Sequence, residues 1–123
     1  MIDYEQILRQ GADAYNRRDL DAFLALYDPG IEQRTILSGT ARGHEGLREL
    51  ALGQWEEFDS TVDVVEVEVL ENGQVLATIG FVARAGGMEQ RQELGWLISF
   101  RGEKAIRVQI HPSVDDARRA ADR

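Results

Sequence analysis

Residues 61–70, "TVDVVEVEVL", alternate apolar and polar side chains with a period of two, the mark of a strand with one covered face. The phase slips midway. Val62 and Val64 belong to one face, and Val65, Val67 and Val69 to the other. Side chains alternate strictly along a strand, so both sets reach one face only if an extra residue is inserted. The pattern therefore predicts a β-bulge near Val64–Val65. "ENGQ" follows, and its Asn72–Gly73 is the strongest short signal for a hairpin turn. A partner strand then runs from about residue 74 to 85, and Gly86–Gly87 makes a second turn. Residues 88–100 form a third strand, with Leu94, Trp96, Ile98 and Phe100 on one face and Glu89, Arg91 and Glu93 on the other. "RGEK" reverses the chain into a fourth strand, residues 105–111, with Ile106, Val108 and Ile110 facing in and Pro112 as its stop. The second half of the chain thus reads as a four-stranded antiparallel meander.

The first half is helical. Asp3 is placed to cap a helix, with Gln6 three residues on, and Tyr4, Ile7, Leu8, Gly11, Ala12 and Tyr15 form its apolar face. "NRRD" interrupts that face. Asp19 caps a second, shorter helix whose apolar side is Leu20, Phe23, Leu24 and Tyr27, ended by Pro29–Gly30. "IEQRTIL" is a short strand, with Ile31, Gln33 and Thr35 on one side and Glu32, Arg34 and Ile36 on the other. After the loop "SGTARG", a third helix carries the stripe Leu47, Leu50, Ala51, Gln54, Trp55 and Phe58. Gly46 and Gly53 each weaken that helix by up to about 1 kcal/mol relative to alanine, and close packing is the expected motive at Gly53. Ser113 caps a short C-terminal helix, with Asp116 three residues later. Helices segregated from an antiparallel sheet define an α+β domain. The 123 residues contain no linker or internal repeat and fit a single domain, 1–123.

Composition narrows the function. With 22 acidic and 14 basic residues, the net charge is −8. A nucleic-acid binder needs the opposite sign, and an anionic membrane surface is disfavoured likewise. No run approaches the roughly 20 apolar residues that span a bilayer. "MIDYEQILRQ" lacks the basic and apolar regions of a secretory signal. There is no cysteine, which excludes disulfides and thiolate chemistry and fits a cytoplasmic protein. His44 and His111 are far apart without paired spacing, so neither a metal site nor a cofactor is expected. No serine occupies a G-x-S-x-G elbow, and "AGG" is too short for a phosphate loop.

Three longer pieces carry a resemblance: "AYNRRDLDAFLALYDPGIEQRT", "GTARGHEGLREL" and "GWLISFRGEKAIRVQI". They resemble the SnoaL-like branch of the nuclear-transport-factor-2-like (NTF2-like) superfamily over residues 4–118. The most specific parts are N-x-x-D-L-D at Asn16–Asp21, R-G-H-E-G at Arg42–Gly46 and F-R-G-E-K at Phe100–Lys104. The resemblance implies a cone: three N-terminal helices packed on a strongly curved, mainly antiparallel sheet, with a pocket at the open end. It also implies a homodimer through the outer sheet face. It does not assign an activity, because one fold hosts many chemistries.

Within that superfamily, ketosteroid isomerase needs a tyrosine on helix one, an aspartate base on the strand after helix two and a protonated acid on the third meander strand. The matching positions here are Gly11, Thr35 and Trp96, so that chemistry is absent. Polyketide-type cyclases of the family rely on an aspartate or histidine in the pocket, whereas this third strand offers Gln90 and Gln92 on its Trp96 face. Limonene-epoxide-hydrolase-like members need a buried Asp-Arg-Asp relay. Arg91 with Glu89 and Glu93 imitates one, but on the convex face, where a surface network is the expected reading. His44 with Glu45 has the look of a base and its helper, yet its place at the entry to helix three suits capping and the helix dipole. His111 shares the register of Arg107 and Gln109 and is expected on the outer face.

The residues expected to face the cone interior are Tyr15, Tyr27, Gln33, Thr35, Trp55, Gln92, Trp96 and Ile98, with Thr78 or its neighbour Ile79. Any one aromatic among them can be plain core. Together they describe a small-molecule site with aromatic walls and a few neutral polar groups, of which Tyr15, Gln33, Thr35 and Gln92 are placed to hydrogen-bond a ligand. Three readings follow: a pocket protein for a small apolar or mixed-polarity ligand; an enzyme of cyclase, isomerase or hydrolase type with a nonstandard acid–base pair; and a dimeric scaffold with a filled core.

Overall fold

The computed structural model describes residues 1–121. Their elements run α1 (Tyr4–Asn16), α2 (Leu20–Leu24), β1 (Tyr27–Arg34), β2 (Thr40–Arg42), α3 (Gly43–Glu57), β3 (Thr61–Val69), β4 (Val75–Ala85), β5 (Met88–Arg101), β6 (Lys104–His111) and α4 (Val114–Ala121). One six-stranded sheet has the order β2-β1-β6-β5-β4-β3. Every neighbouring pair is antiparallel except β1 and β6, which are parallel. The sheet curves around α1 and α3 in an NTF2-like α+β cone. No helix among the described residues is long and apolar enough to cross a membrane.

The bulge lies where the valine phase slips. Val64 pairs with Ile79 and Glu66 with Thr78, so Val65 is the extra residue and stands 43% exposed. Beyond it, Val67 faces Ala77 and Val69 faces Val75. Cross-strand partners share a face, so the extra residue returns all four remaining valines to the concave side. The turns also follow the residues. Gly73 adopts φ +90, and Gly86 and Gly87 adopt φ +59 and +79, the left-handed pair that a two-residue hairpin of type I′ requires. Asp3, Asp19 and Ser113 each accept a backbone N–H three residues on, from Gln6, Ala22 and Asp116, and so cap α1, α2 and α4.

Four local expectations are corrected. First, β1 starts at Tyr27 instead of residue 31 and ends at Arg34. Pro29–Gly30 therefore lies inside its span, where the register with β6 shifts, and α2 stops at Leu24. Pairing with a strand distant in sequence, through Tyr27 opposite Ala105 and Gln33 opposite Val108, sets those limits. Second, β2 forms where a loop is expected, paired with β1 through Arg34–Thr40 and Glu32–Arg42. Third, a register shift between β5 and β6 leaves Ile106 as an extra residue, since Ser99 pairs with Arg107 and Phe100 with Ala105. Ala105 and Val108, at 5% and 1% exposure, take the inner side that Ile106 is expected to hold. Fourth, a Cβ on Gly53 would meet nothing within 4 Å, so close packing is not the reason for that glycine. The close approach occurs at Gly46, whose Cβ would sit 3.2 Å from Ala41.

The C-terminal helix α4 lies on the convex side. Its Ala117 is fully buried against Leu76 and Leu97, and Arg118 grips Glu68 of β3 with two hydrogen bonds of 3.0 and 2.8 Å. Gly95 makes that seat: a Cβ there would lie 2.3 Å from the Ser113 carbonyl oxygen. Gly95→Val is thus expected to lose about 1–3 kcal/mol through overpacking, read as a lower urea midpoint. Gly53→Ala is expected to gain up to about 1 kcal/mol. A neutral Gly95→Val would show that α4 is not seated as described.

Candidate functional site

Between α1, α3 and the concave face of the sheet lies a cavity of about 260 Å³. Ile7, Leu8, Gly11, Ala12 and Tyr15 of α1 form one wall, Leu47, Leu50, Ala51 and Gln54 of α3 another. Helical spacing brings each set to one side. The sheet supplies the floor, with Ile98, Val108 and Ile79 at 0%, 1% and 5% exposure. Ile36, Leu37 and Ser38, from the β1–β2 loop, form part of the rim. Leu37 is 94% exposed.

The chemistry of the lining is uniform. It contains no aspartate, glutamate, histidine, lysine, arginine or cysteine. Its polar members are tyrosines, Gln33, Thr35, Ser38, Gln54, Gln92 and the Trp96 indole. Gly11, Thr35 and Trp96 all line the cavity.

The expected site residues fall in different places. Tyr15, Tyr27, Gln33, Thr35, Gln92, Trp96 and Ile98 all line the cavity, and of the Thr78–Ile79 pair it is Ile79 that does. Trp55 does not; it stands behind Tyr15, with ring centroids 5.3 Å apart. Phe23, read only as helix face, lines the cavity between Tyr15 and Tyr27, at centroid distances of 5.7 and 5.1 Å. Trp55, Tyr15, Phe23 and Tyr27 thus make a continuous aromatic row.

Several expected ligand contacts are already engaged. The Tyr15 hydroxyl donates to Gln54 Oε1 at 2.8 Å and lies 2.8 Å from Ser60 Oγ, which is fully buried. Thr35 Oγ1 donates to the Gly39 carbonyl at 2.8 Å and accepts from Ser38 N at 2.9 Å, closing the β1–β2 turn. The Gln33 carboxamide oxygen and the Trp96 indole nitrogen, both buried, have no protein partner. Gln92 is exposed, toward the solvent side of the lining.

The joint between α1 and α2 carries a network the sequence reading missed. Arg18 has φ +60 and donates to the carbonyls of Tyr15 (3.2 Å) and Ser60 (2.7 Å). Its guanidinium lies 5.4 Å from the Trp55 ring centre, close enough for a cation–π contact. Asn16 donates to the Val62 carbonyl and accepts from the Val62 N–H, both at 2.8 Å.

Neither histidine faces the cavity. His44 Nε2 lies 2.8 Å from the Tyr27 carbonyl, and a carbonyl only accepts, so Nε2 carries the proton there. The imidazole ties α3 to the start of β1 instead of capping its own helix, whose N-cap, Arg42, makes no side-chain cap bond. His111 pairs with Gly95 in the sheet, beneath the start of α4. Arg91 binds both Asp63 carboxylate oxygens, at 2.8 and 3.1 Å, and reaches Glu93 at 3.6 Å, while Glu89 pairs with Arg84. The network crosses the outer face over Gly80 and is separate from the cavity.

A curved six-stranded sheet closed by helices over one uncharged cavity defines a cone-shaped α+β class of small pocket proteins. The SnoaL-like domain model matches residues 8–108, and the chain belongs to that family. In structure it is similar to TerC, crystallised with polyporic acid, at 14% identity and TM-score 0.78 over 98% of this chain and 100% of that one. It is similar to a ketosteroid isomerase-like fold from Catenulispora acidiphila in complex with trimethylamine, at 16% identity and TM-score 0.77 over 87% and 85%. It is also similar to SalBIII, an epoxide hydrolase/cyclase-like enzyme of polyether salinomycin, at 11% identity and TM-score 0.76 over 92% of each chain. At these identities the likeness is one of fold. No curated protein matches by sequence.

Burial pushes the Tyr27 phenol up from its ordinary value. Tyr15 is raised by desolvation too, against smaller lowering from the Ser60 hydrogen bond and the Arg18 charge. The fold favours both protonated phenols. Their contribution is intact below the unfolded value of 10.0 and is lost as pH rises through the higher folded values. Stability measured by urea titration is expected to fall above about pH 10, the unfolded tyrosine value, and less steeply in the Tyr15→Phe/Tyr27→Phe double variant. An identical alkaline decline in that variant would contradict this.

Proposed function

We propose that this chain binds an uncharged, largely apolar small molecule in the cone. The observation that carries the reading is the lining itself: about 260 Å³ enclosed by side chains without a formal charge. Removing an ion from water is costly unless a paired charge receives it, and no such charge lines this site. A neutral aromatic or alicyclic ligand meets no such penalty and gains from burial. Gln33 and Trp96 offer a polar ligand group its partners after a modest side-chain rotation, because neither is engaged by the protein. Gln92 marks the entrance.

The enzyme reading is supported by enzymes among the similar folds: SalBIII, and the polyketide cyclases, both described as putative, from Sinorhizobium meliloti and Xanthomonas campestris. General acid–base work near neutral pH needs a group that titrates there. The only ionisable side chains in the lining are Tyr15 and Tyr27, both raised away from neutrality. Binding without turnover is the better supported function.

The homodimer implied by the family would use the outer sheet face. There α4 covers Leu76 and Leu97, and such a dimer would meet through the ion-paired remainder around Arg91 and Arg84. A contact of that kind weakens with salt. Sedimentation equilibrium is expected to give a dimer at low salt and partial dissociation at high salt, and a monomer throughout would remove it.

Gly11 separates a ligand site from a filled core. It lines the cavity, and its added Cβ would approach only Leu26 Cδ1, at 3.4 Å. Gly11→Leu is expected to keep or raise stability, since leucine suits a helix better than glycine by up to about 1 kcal/mol. The same change fills the cavity. Titration with the neutral fluorophore N-phenylnaphthylamine is expected to saturate in the parent and to fail in Gly11→Leu, with a sulfonated, anionic analogue binding much more weakly. Equal affinity for the anionic analogue, or binding unchanged by Gly11→Leu, would reject the uncharged cavity as the site.

A further inference from the structure

The arginines of this chain are nearly all paired. Among the described residues, every arginine except Arg34, Arg48 and Arg107 has a carboxylate within ion-pair distance. With 22 acidic residues available, an unpaired arginine is the exception. Arg48 stands on the exposed side of α3. Arg34 and Arg107 are neighbours in one groove.

Sheet register builds that groove. Glu32 pairs with Arg42 of β2 on one side and with Arg107 of β6 on the other. Arg34, two residues on and therefore on the same face, pairs with Thr40 and Gln109. These six side chains border a depression of about 250 Å³ on the convex side. Gln33, between Glu32 and Arg34, points the other way and lines the cavity, so the two sites stand back to back across β1 and β6.

The charges do not balance. Arg42 Nη1 contacts Glu32 Oε1 at 2.6 Å and uses the only carboxylate lining the groove. Three guanidiniums against one carboxylate leave two positive charges in a protein whose net charge is −8. Among the described residues neither Arg34 nor Arg107 has a carboxylate within ion-pair distance, Glu32 being turned to Arg42. Guanidinium groups present planar pairs of N–H donors that fit the oxygens of phosphate, and Thr40 and Gln109 add neutral donors on the same rim.

We propose that this groove binds a phosphate-type dianion held by Arg34 and Arg107. A phosphate monoester at neutral pH carries a charge of about −1.5 to −2, which matches the local excess. The site is independent of the cavity and takes the opposite chemistry: a hydrophilic dianion outside, a neutral apolar ligand within. A free phosphate or a lipid headgroup could bring that group. The net charge of −8 repels an anionic membrane, so the free ion is the assigned source.

The test is a titration of the full chain with inorganic phosphate at constant ionic strength, chloride making up the balance, followed by the arginine Nε resonances. Saturable shifts are expected at Arg34 and Arg107 and not at Arg48. Affinity is expected to fall about tenfold or more in Arg34→Gln and in Arg107→Gln, as loss of a charge-assisted contact implies, and to stay unchanged in Arg48→Gln. The substituted side chains are exposed, so unchanged far-UV circular dichroism is expected to accompany the loss. Cosedimentation with phosphatidylcholine vesicles containing phosphatidic acid is expected to fail. Shifts that track ionic strength alone, or affinity indifferent to both substitutions, would show a merely solvated face and overturn the site. Vesicle binding without a phosphate response would overturn the free-ion assignment.

Discussion

The fold turns on one side-chain amide. Asn16, the last residue of α1, both donates to and accepts from the backbone of Val62. Its carboxamide does for β3 what a neighbouring strand would do. β3 is an edge of the sheet, with free backbone groups that must be answered somewhere. Answering them from a helix end fixes the distance and angle at which α1 crosses the concave face. Two further contacts beside Asn16 reinforce that choice. The Tyr15 hydroxyl lies against buried Ser60, and Arg18 stitches the carbonyls of Tyr15 and Ser60 together beneath the Trp55 ring. With that end of α1 pinned to the start of β3, the helix cannot sink onto the sheet along its whole length, and space remains between them.

Why that space is uncharged follows from where the charges went. The acidic residues of β3 and β5 lie on the convex face, and Asp63, Glu68, Glu89 and Glu93 are drawn into pairs with Arg84, Arg91 and Arg118. The bulge at Val65 is what makes this sorting possible, since without it Val65, Val67 and Val69 would face water and Glu66 and Glu68 the cavity. α4 completes the separation by covering Leu76 and Leu97 from outside, which gives the sheet a second, small apolar layer. Aromatic rings then wall one side of the interior, and amides with hydroxyls provide its polarity. Among the described residues no carboxylate lines the cavity, and His44 is engaged with the Tyr27 carbonyl.

Much of this was legible in the residues, and the failures share a cause. The β3 phase slip located the bulge, Asn72–Gly73 and Gly86–Gly87 located the turns, and Asp3, Asp19 and Ser113 located three helix starts, because each signal is local. The start of β1 was not legible, since its limits depend on parallel pairing with a strand far along the chain, Tyr27 with Ala105 and Gln33 with Val108. β2 is three residues long and has no pattern of its own. The β6 bulge was hidden because "AIRVQI" alternates without a slip, so periodicity put Ile106 inside. Trp55 and Phe23 exchanged roles for a geometric reason: an apolar helical stripe is wide enough that its flank packs beside a cavity while its centre borders it. Gly95 was the one sign that something lies against the outer sheet, and a lone glycine in a strand does not say what approaches it.

The central claim is an open apolar space bounded by α1, α3 and the concave face, and xenon tests it most directly, since the gas enters dry apolar cavities without needing a polar contact. With methyl-labelled protein under xenon pressure, the account predicts saturating shifts at Leu47, Ile79, Ile98 and Val108 and silence at Leu76 and Leu97 on the opposite face. Silent interior methyls, or shifts spread over both faces, would mean that side chains fill the cone.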